Sequence, residues 1–412
     1  MIPRFKPRLG YRELAALFRF QPGAVAAFET AFARAFGGGY ALAFPYGRSA
    51  LWAFFKAIGL YGAEIVQPAY TCSVVAHATV LSGNVPRFVD LRLPTYNMDL
   101  DQVRAAINPN TGAVISTHLF GYPLDVDNLS KIVREAEARF SRKIWIIQDC
   151  AHAFAAEWRE RSVVAAGDVA LFGLNISKMI TSIFGGMLYT TDADLAHRLR
   201  TFRDATFKRP GYLKRMKRVG YFLAVYPAFA ERVHGLVHWL QEETPLLNRL
   251  TKAYHLDEKI AFPPDYLESL CPCEAEVGLV QLSRYSEIVR QRRQHAQYYD
   301  VHLPRPRGWE LPPLFEGATY SHYVVRVPDR EAVIKALGRH GVQLGRLIEY
   351  SVPHTAPYRS FADGQRFPLA LKCSETTINL PVYAGLSSVA RERAVKAIES
   401  FAHDGLPGRA AA

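Results

Sequence analysis

The chain has 412 residues, 49% hydrophobic and 21% charged, with 50 lysines and arginines against 38 acidic residues for a net charge of +12. This balance excludes a disordered chain and allows a large core spread over two domains. The basic excess favours anionic partners such as nucleotide diphosphates or phospholipid surfaces; no nucleic-acid module accompanies it, so nucleic acid is not expected. Residues 1–40 read as an arm and two helices, at 11–18 and 23–36. From 41 to 191 strand-type runs, at 41–44, 64–67, 85–89, 113–117, 143–148, 168–173 and 186–190, alternate with helical patterns, including 100–107 and 126–140. Such alternation predicts an α/β fold, a mainly parallel sheet of the seven-stranded type with helices on both faces and a cleft along its strand ends.

Three strand ends carry chemistry. The first strand leads into Tyr46-Gly47-Arg48-Ser49, where the free N–H groups of a helix start, beside a hydroxyl and an arginine, suit a phosphate. Turn and cap roles for Gly47 and Ser49 account for the same residues. The run 143–148 ends in Asp149-Cys150-Ala151-His152. A carboxylate at the end of a parallel strand faces the ligand crevice, and Asp149 there suits a protonated pyridine nitrogen; a helix N-cap is the plainer role. The run 168–173 leads to Ser177-Lys178 and then to the pair Gly185-Gly186. Desolvation at such a position lowers a lysine's pKa and yields a neutral amine able to form a Schiff base, unless the side chain snorkels to water.

Residues 194–207 continue as a helix, and the pattern then changes. Lys208, Arg209, Lys214, Arg215, Lys217 and Arg218 precede an apolar run interrupted by Pro227, Glu231, Arg232, His234 and His238. A spanning helix needs about 20 predominantly apolar residues, so a membrane span is not expected. The 208–256 stretch reads either as an in-plane anchor, with Tyr221, Phe222, Tyr226, Phe229 and Trp239 in the interfacial layer, or as a lid or subunit interface whose cations bind a substrate diphosphate. Residues 274–301 read as one long helix. A small α+β domain follows, with a strand at 320–327, a helix at 330–340, a strand at 376–380 and a closing helix at 388–401. The expected division is 1–40, 41–290 with the enlarged 208–256 insertion, 291–405, and a frayed tail at 406–412. Five scattered cysteines point to a reducing compartment, and the N-terminus lacks the apolar core of a signal peptide, so the cytoplasm is expected, with peripheral contact at the inner membrane face. Cys271-Pro272-Cys273 reads as buried thiols in preference to a metal site.

Together these motifs resemble the DegT/DnrJ/EryC1/StrS sugar aminotransferases, which are fold-type-I pyridoxal-phosphate enzymes. The similarity runs nearly end to end, through Gly47-Arg48-Ser49-Ala50-Leu51, Gln67-Pro68-Ala69-Tyr70-Thr71, Phe88-Val89-Asp90, His118-Leu119-Phe120-Gly121, Asp149-Cys150-Ala151-His152-Ala153, Ser177-Lys178, Gly185-Gly186, Glu274-Ala275-Glu276 and Asn379-Leu380-Pro381. The resemblance implies that Lys178 binds the cofactor covalently, Asp149 pairs with the ring nitrogen and His152 sits near the ring. The implied cofactor-binding set is Gly47, Arg48, Ser49, Cys72, Asp149, His152, Ser177 and Lys178. It also implies a homodimer, an amino-acid donor, glutamate, and a keto-sugar acceptor linked to a nucleotide. Three departures stand out: Cys72 occupies the place of a stacking aromatic residue, Gly173 that of a phosphate-binding serine, and an Asn and an Arg usual before Glu274 are missing. These support a competing class, a non-catalytic regulator or membrane-associated scaffold of the same fold, against which the survival of Lys178 argues.

Overall fold

The computed structural model describes residues 1–19, 21–229, 233, 235 and 260–404. After the helices α1 (Tyr11–Leu17) and α2 (Ala24–Ala35), the elements alternate as β1 (Tyr40–Phe44), α3 (Gly47–Ala57), β2 (Glu64–Pro68), α4 (Ser73–Leu81), β3 (Val85–Val89), α5 (Leu100–Ala106), β4 (Thr111–Thr117), α6 (Val126–Phe140), β5 (Trp145–Asp149), β6 (Val169–Gly173) and β7 (Gly186–Thr190). The seven strands form one sheet in the order β1-β7-β6-β5-β4-β2-β3, parallel except for β7, which runs against both neighbours. The period-2 alternation of strand side chains assigns each face its layer. Ala170, Phe172, Met187 and Tyr189 pack with Phe28 and Phe32 of α2, while Leu171 and Leu188 pack with Leu51 and Phe54 of α3 on the other face. Every residue of β4 is buried, as expected of a central strand covered on both sides.

Beyond β7 come α7 (Ala193–Thr206), α8 (Tyr212–Ala228), α9 (Pro272–Leu282) and α10 (Tyr285–His302). The single helix expected at 274–301 is thus two. Arg284 leaves helical geometry between them, Ser283 Oγ donates to the Val280 carbonyl, and the Arg284 guanidinium turns to Glu13 at 2.9 Å. The break lets α9 pack on α1 and α2 while α10 runs into the second domain. There β8 (Tyr323–Arg326), α11 (Arg330–Arg339), α12 (Pro368–Thr376), β9 (Thr377–Leu380) and α13 (Ser388–Asp404) follow, with β8 and β9 antiparallel. One apolar cluster joins Tyr70, Tyr96, Phe120 and Tyr122 of the large sheet's strand-end loops to Tyr299, Tyr323, Val325 and Ile378, so the small domain is docked over the strand ends. Among the described residues no helix is long and apolar enough to cross a membrane. Trp239 and most of the second half of the 208–256 stretch lie outside the described residues, as does the tail at 406–412.

Candidate active site

The ends of β4, β5 and β6 stand side by side, because Thr117 pairs with Asp149 and Asp149 with Leu171. Asp149 is buried and accepts hydrogen bonds from Thr117 Oγ1 at 3.2 Å and the Ala151 N–H at 3.1 Å. Burial raises its pKa, against the Ala151 N–H, the Lys178 ammonium and the Thr117 hydroxyl. After β6, Asn175 Oδ1 accepts from the N–H and hydroxyl of Ser177, and the Lys178 N–H closes the turn on the Asn175 carbonyl. Lys178 emerges half-buried. Burial lowers its pKa, while Cys72 and Asp149 act in the opposite direction. His152 stacks against Phe120, with rings 6.1 Å apart and 16° from parallel, and lies 5.0 Å from the His322 ring. Burial, helped by Lys178 and His322, holds His152 well below the ordinary histidine value.

The phosphate side begins one residue before α3. A Cβ on Gly186 would stand 2.5 Å from the Gly47 N, so these segments meet this closely because residue 186 is a glycine; one on Gly47 would be tight, 3.3 Å from the Phe172 carbonyl and 3.4 Å from Gly173 Cα. Gly173 in turn borders Lys178, whose Cε lies 3.4 Å from where its Cβ would be. Ser49 is fully buried, and its Oγ has no hydrogen-bond partner among the described residues. The N-cap residue Tyr46 is fixed from afar: its hydroxyl donates to Asp265 Oδ1 and accepts from Arg218 of α8, both at 2.7 Å. Arg218 also bonds Asp265 at 2.8 Å, pairs with the buried Glu274 at 3.0 Å and lies 4.1 Å over the Phe184 ring.

The structure therefore brings Asp149, Lys178, His152 and Cys72 into one neighbourhood and connects it through Gly173 to the Gly47-Arg48-Ser49 turn. Arg48 is half-buried beside the Tyr46 ring. Ser177 differs, being exposed with its hydroxyl committed to Asn175. Cys72 caps α4 next to Tyr350 of the second domain, whose hydroxyl accepts from the Ser73 N–H at 3.0 Å. Sequence reasoning missed Tyr46, Arg218, Asp265, Phe120, His322 and Tyr350. Of these, Phe120 and Tyr46 carried a usable signal, their places in the His118-Leu119-Phe120-Gly121 and Tyr46-Gly47-Arg48-Ser49 motifs, and Arg218 stood in the basic cluster without its role being legible.

A family model for the DegT/DnrJ/EryC1/StrS aminotransferase family matches residues 20–225 and 266–399. The chain belongs to this family. The unmatched interval, 226–265, overlaps the 208–256 stretch that the sequence marks as enlarged and runs nine residues beyond it. The chain is 26% identical to the GDP-perosamine synthase of Caulobacter vibrioides over 381 residues, covering 90% of this chain and 88% of the relative. It is 24% identical to the spore coat polysaccharide biosynthesis protein SpsC of Bacillus subtilis over 386 residues, 91% and 88% of the two chains. Among solved structures it superimposes on the aminotransferase TlmJ of Streptoalloteichus hindustanus with a TM-score of 0.74 at 25% identity, covering 97% and 98% of the chains. As an aminotransferase of this family it is an enzyme, and the matched residues include the strand ends described above.

Proposed function

We propose that this aminotransferase uses pyridoxal phosphate to move an amino group from an amino acid, glutamate in our reading, to a keto sugar linked to a nucleotide, in amino-sugar and polysaccharide biosynthesis. The observation that carries the reading is the meeting of a half-buried lysine and a buried carboxylate at neighbouring strand ends. The residues fit the cofactor. Ser49 Oγ is an orphaned buried hydroxyl at a helix N-terminus, and the glycines around it leave room for backbone N–H groups to approach a phosphate. Asp149 is a buried carboxylate that gains from a cationic partner such as a pyridinium.

Pyridoxal phosphate, when bound, supplies an electron sink for the charge left at the donor's Cα. Gly47, Arg48 and Ser49 would hold its phosphate, and Asp149 would keep a proton on the ring nitrogen. Lys178 Nζ, its pKa lowered by burial, would take the donor's Cα proton as a neutral amine and pass it, as an ammonium, to the cofactor; in the acceptor half it would take that proton back and deliver it to the sugar carbon that receives the amine. His152, kept neutral by its burial, would border the ring without adding charge. The names of the relatives support a sugar acceptor, and the net charge of +12 suits a nucleotide diphosphate. A homodimer, a cytoplasmic location and the division at about residue 290 are part of the same reading. A panel of nucleotide-linked keto sugars incubated with glutamate tests it. Release of 2-oxoglutarate that requires both a panel sugar and Lys178 is expected; donor turnover with no sugar consumed would remove the acceptor assignment.

A further inference from the structure

Helix α8 is built inside out. Its inward face carries cations: Lys214 Nζ donates to the Glu268 carbonyl at 2.6 Å and lies 3.5 Å from Asp265, and Arg218 binds Tyr46, Asp265 and Glu274. Both side chains are buried, beside Val219 and Phe222. The outward face is apolar. Tyr212 is 75% exposed, Leu213 66%, Met216 47% and Leu223 44%, with Gly220, Ala224 and Pro227 also exposed among them and Tyr221, 37% exposed, at the edge of this arc. At 100° per residue these positions fall on one side of the helix, where an ordinary surface helix carries its charges. The 17-residue helix contains no Asp or Glu, and Lys217 sits exposed at the rim of the stripe, with Lys208 and Arg209 exposed just before the helix.

We propose that this outward face of α8 docks on an anionic phospholipid surface, lying in the plane of the headgroups. Leu213, Met216 and Leu223 would enter the boundary of the acyl layer, and Lys208, Arg209 and Lys217 would meet the headgroup phosphates. A helix of this length lies along about 25 Å of surface. Charge decides between a lipid surface and a second copy of the chain. Pairing two such helices across a two-fold axis brings like cations together with no helical carboxylate to offset them, whereas an anionic bilayer complements both the stripe and its basic rim. This inference goes beyond the transferase reading and stands whatever the sugar. It also corrects the basic cluster read from the sequence, because Lys214 and Arg218 belong to the protein's interior and only the outer cations are available to a membrane.

Flotation of the full-length protein with phosphatidylcholine vesicles, with and without phosphatidylglycerol, tests the proposal. The protein should float with the anionic vesicles at low salt, remain below with the neutral ones and be released by high salt. A variant carrying Leu213→Ser, Met216→Ser and Leu223→Ser, and another carrying Lys208→Gln, Arg209→Gln and Lys217→Gln, should each lose at least about tenfold in partitioning, with melting temperature and glutamate turnover unchanged. Wild type that stays below at low salt overturns the proposal, as does a serine variant that floats like wild type. Loss of the dimer in light scattering by the serine variant, with vesicle partitioning unaffected, would assign the face to a contact between copies instead.

Discussion

The two sides of the candidate site are built by different means. On the catalytic side, Asp149 closes β5 and Lys178 follows β6 by five residues, and both are set by local turns: the Ala151 N–H on one carboxylate oxygen, and the Asn175 turn before the lysine. On the phosphate side, the backbone nest at Gly47 survives but its N-cap residue is held by Arg218, 172 residues away, and by Asp265, 219 residues away. The first side keeps its chemistry in short motifs. The second keeps the backbone and draws its support from the helix next to the interval that the family pattern does not match. Damage to the catalytic side should therefore stop chemistry in a folded protein, whereas damage to the phosphate side should appear as lost stability and cofactor affinity.

Lys178→Ala tests the first half of that contrast most severely. It should lower transamination by about 10²–10⁴-fold or more, with the melting temperature essentially kept, because the general acid–base group is lost and no strand contact changes. Lys178→Arg should fail equally, since a guanidinium stays protonated. Retained 2-oxoglutarate production in either variant would contradict the assignment. Asp149→Asn should come next, with about 4 kcal/mol of transition-state stabilisation lost if its effect resembles that of other preorganised electrostatic groups. Stopped-flow measurement of the donor half-reaction would expose the error if the rate stayed near that of the wild type.

Arg218→Ala sharpens the other half. It leaves Glu274 buried opposite an empty position, and loss of a buried partner costs about 3 kcal/mol or more. The urea midpoint should fall. Tyr46→Phe keeps the ring and removes only the hydroxyl shared by Arg218 and Asp265, so it should weaken cofactor binding by about tenfold, one hydrogen bond to charged groups, and leave the rate of the saturated enzyme unchanged. If fluorescence titration gives the wild-type affinity for pyridoxal phosphate, the hydroxyl does not position the phosphate turn.

The two sides also differed in how readily the sequence disclosed them. Asp149 and Lys178 were legible because each follows an apolar run whose end must lie at the cleft, and the seven strands were legible for the same reason. Lys214 and Arg218 were not, because cations four apart beside an apolar run read as a solvated or membrane-facing stripe until Asp265, Glu268 and Glu274 are seen to enclose them. Neither Gly nor Pro marks the break at Ser283–Arg284, since it is imposed by what α9 and α10 each pack against. His322 lies within the predicted 320–327 segment, and only the docking of the small domain carries it to His152.

A smaller effect separates neither side but tests the burial on which both rest. His118 is fully buried, its Nδ1 accepting from the Leu124 N–H and its Nε2 2.9 Å from Gln148 Oε1, and burial lowers its pKa to about 4. Between that value and the ordinary histidine value near 6.5, the unfolded chain binds a proton that the folded chain refuses. Stability therefore falls as pH drops through this window, by about 2 kcal/mol at pH 5 for this one group. His77 and His295, also lowered to about 4 by burial, act with the same sign. Urea midpoints at pH 7 and pH 5 should differ less in His118→Gln than in the wild type; equal differences would show that His118 takes up its proton in the folded state.

The central claim is that Lys178, in the turn after β6, and Asp149, at the end of β5, together hold pyridoxal phosphate for transamination. The most direct measurement is the absorbance spectrum of purified wild-type protein titrated with pyridoxal phosphate and then with glutamate. The account predicts a lysine-bound cofactor band that forms at stoichiometric cofactor, shifts on adding glutamate to the band of the aminated cofactor, and is absent in Lys178→Ala. A band that forms equally in Lys178→Ala, or a wild-type spectrum that glutamate leaves unchanged, would contradict it.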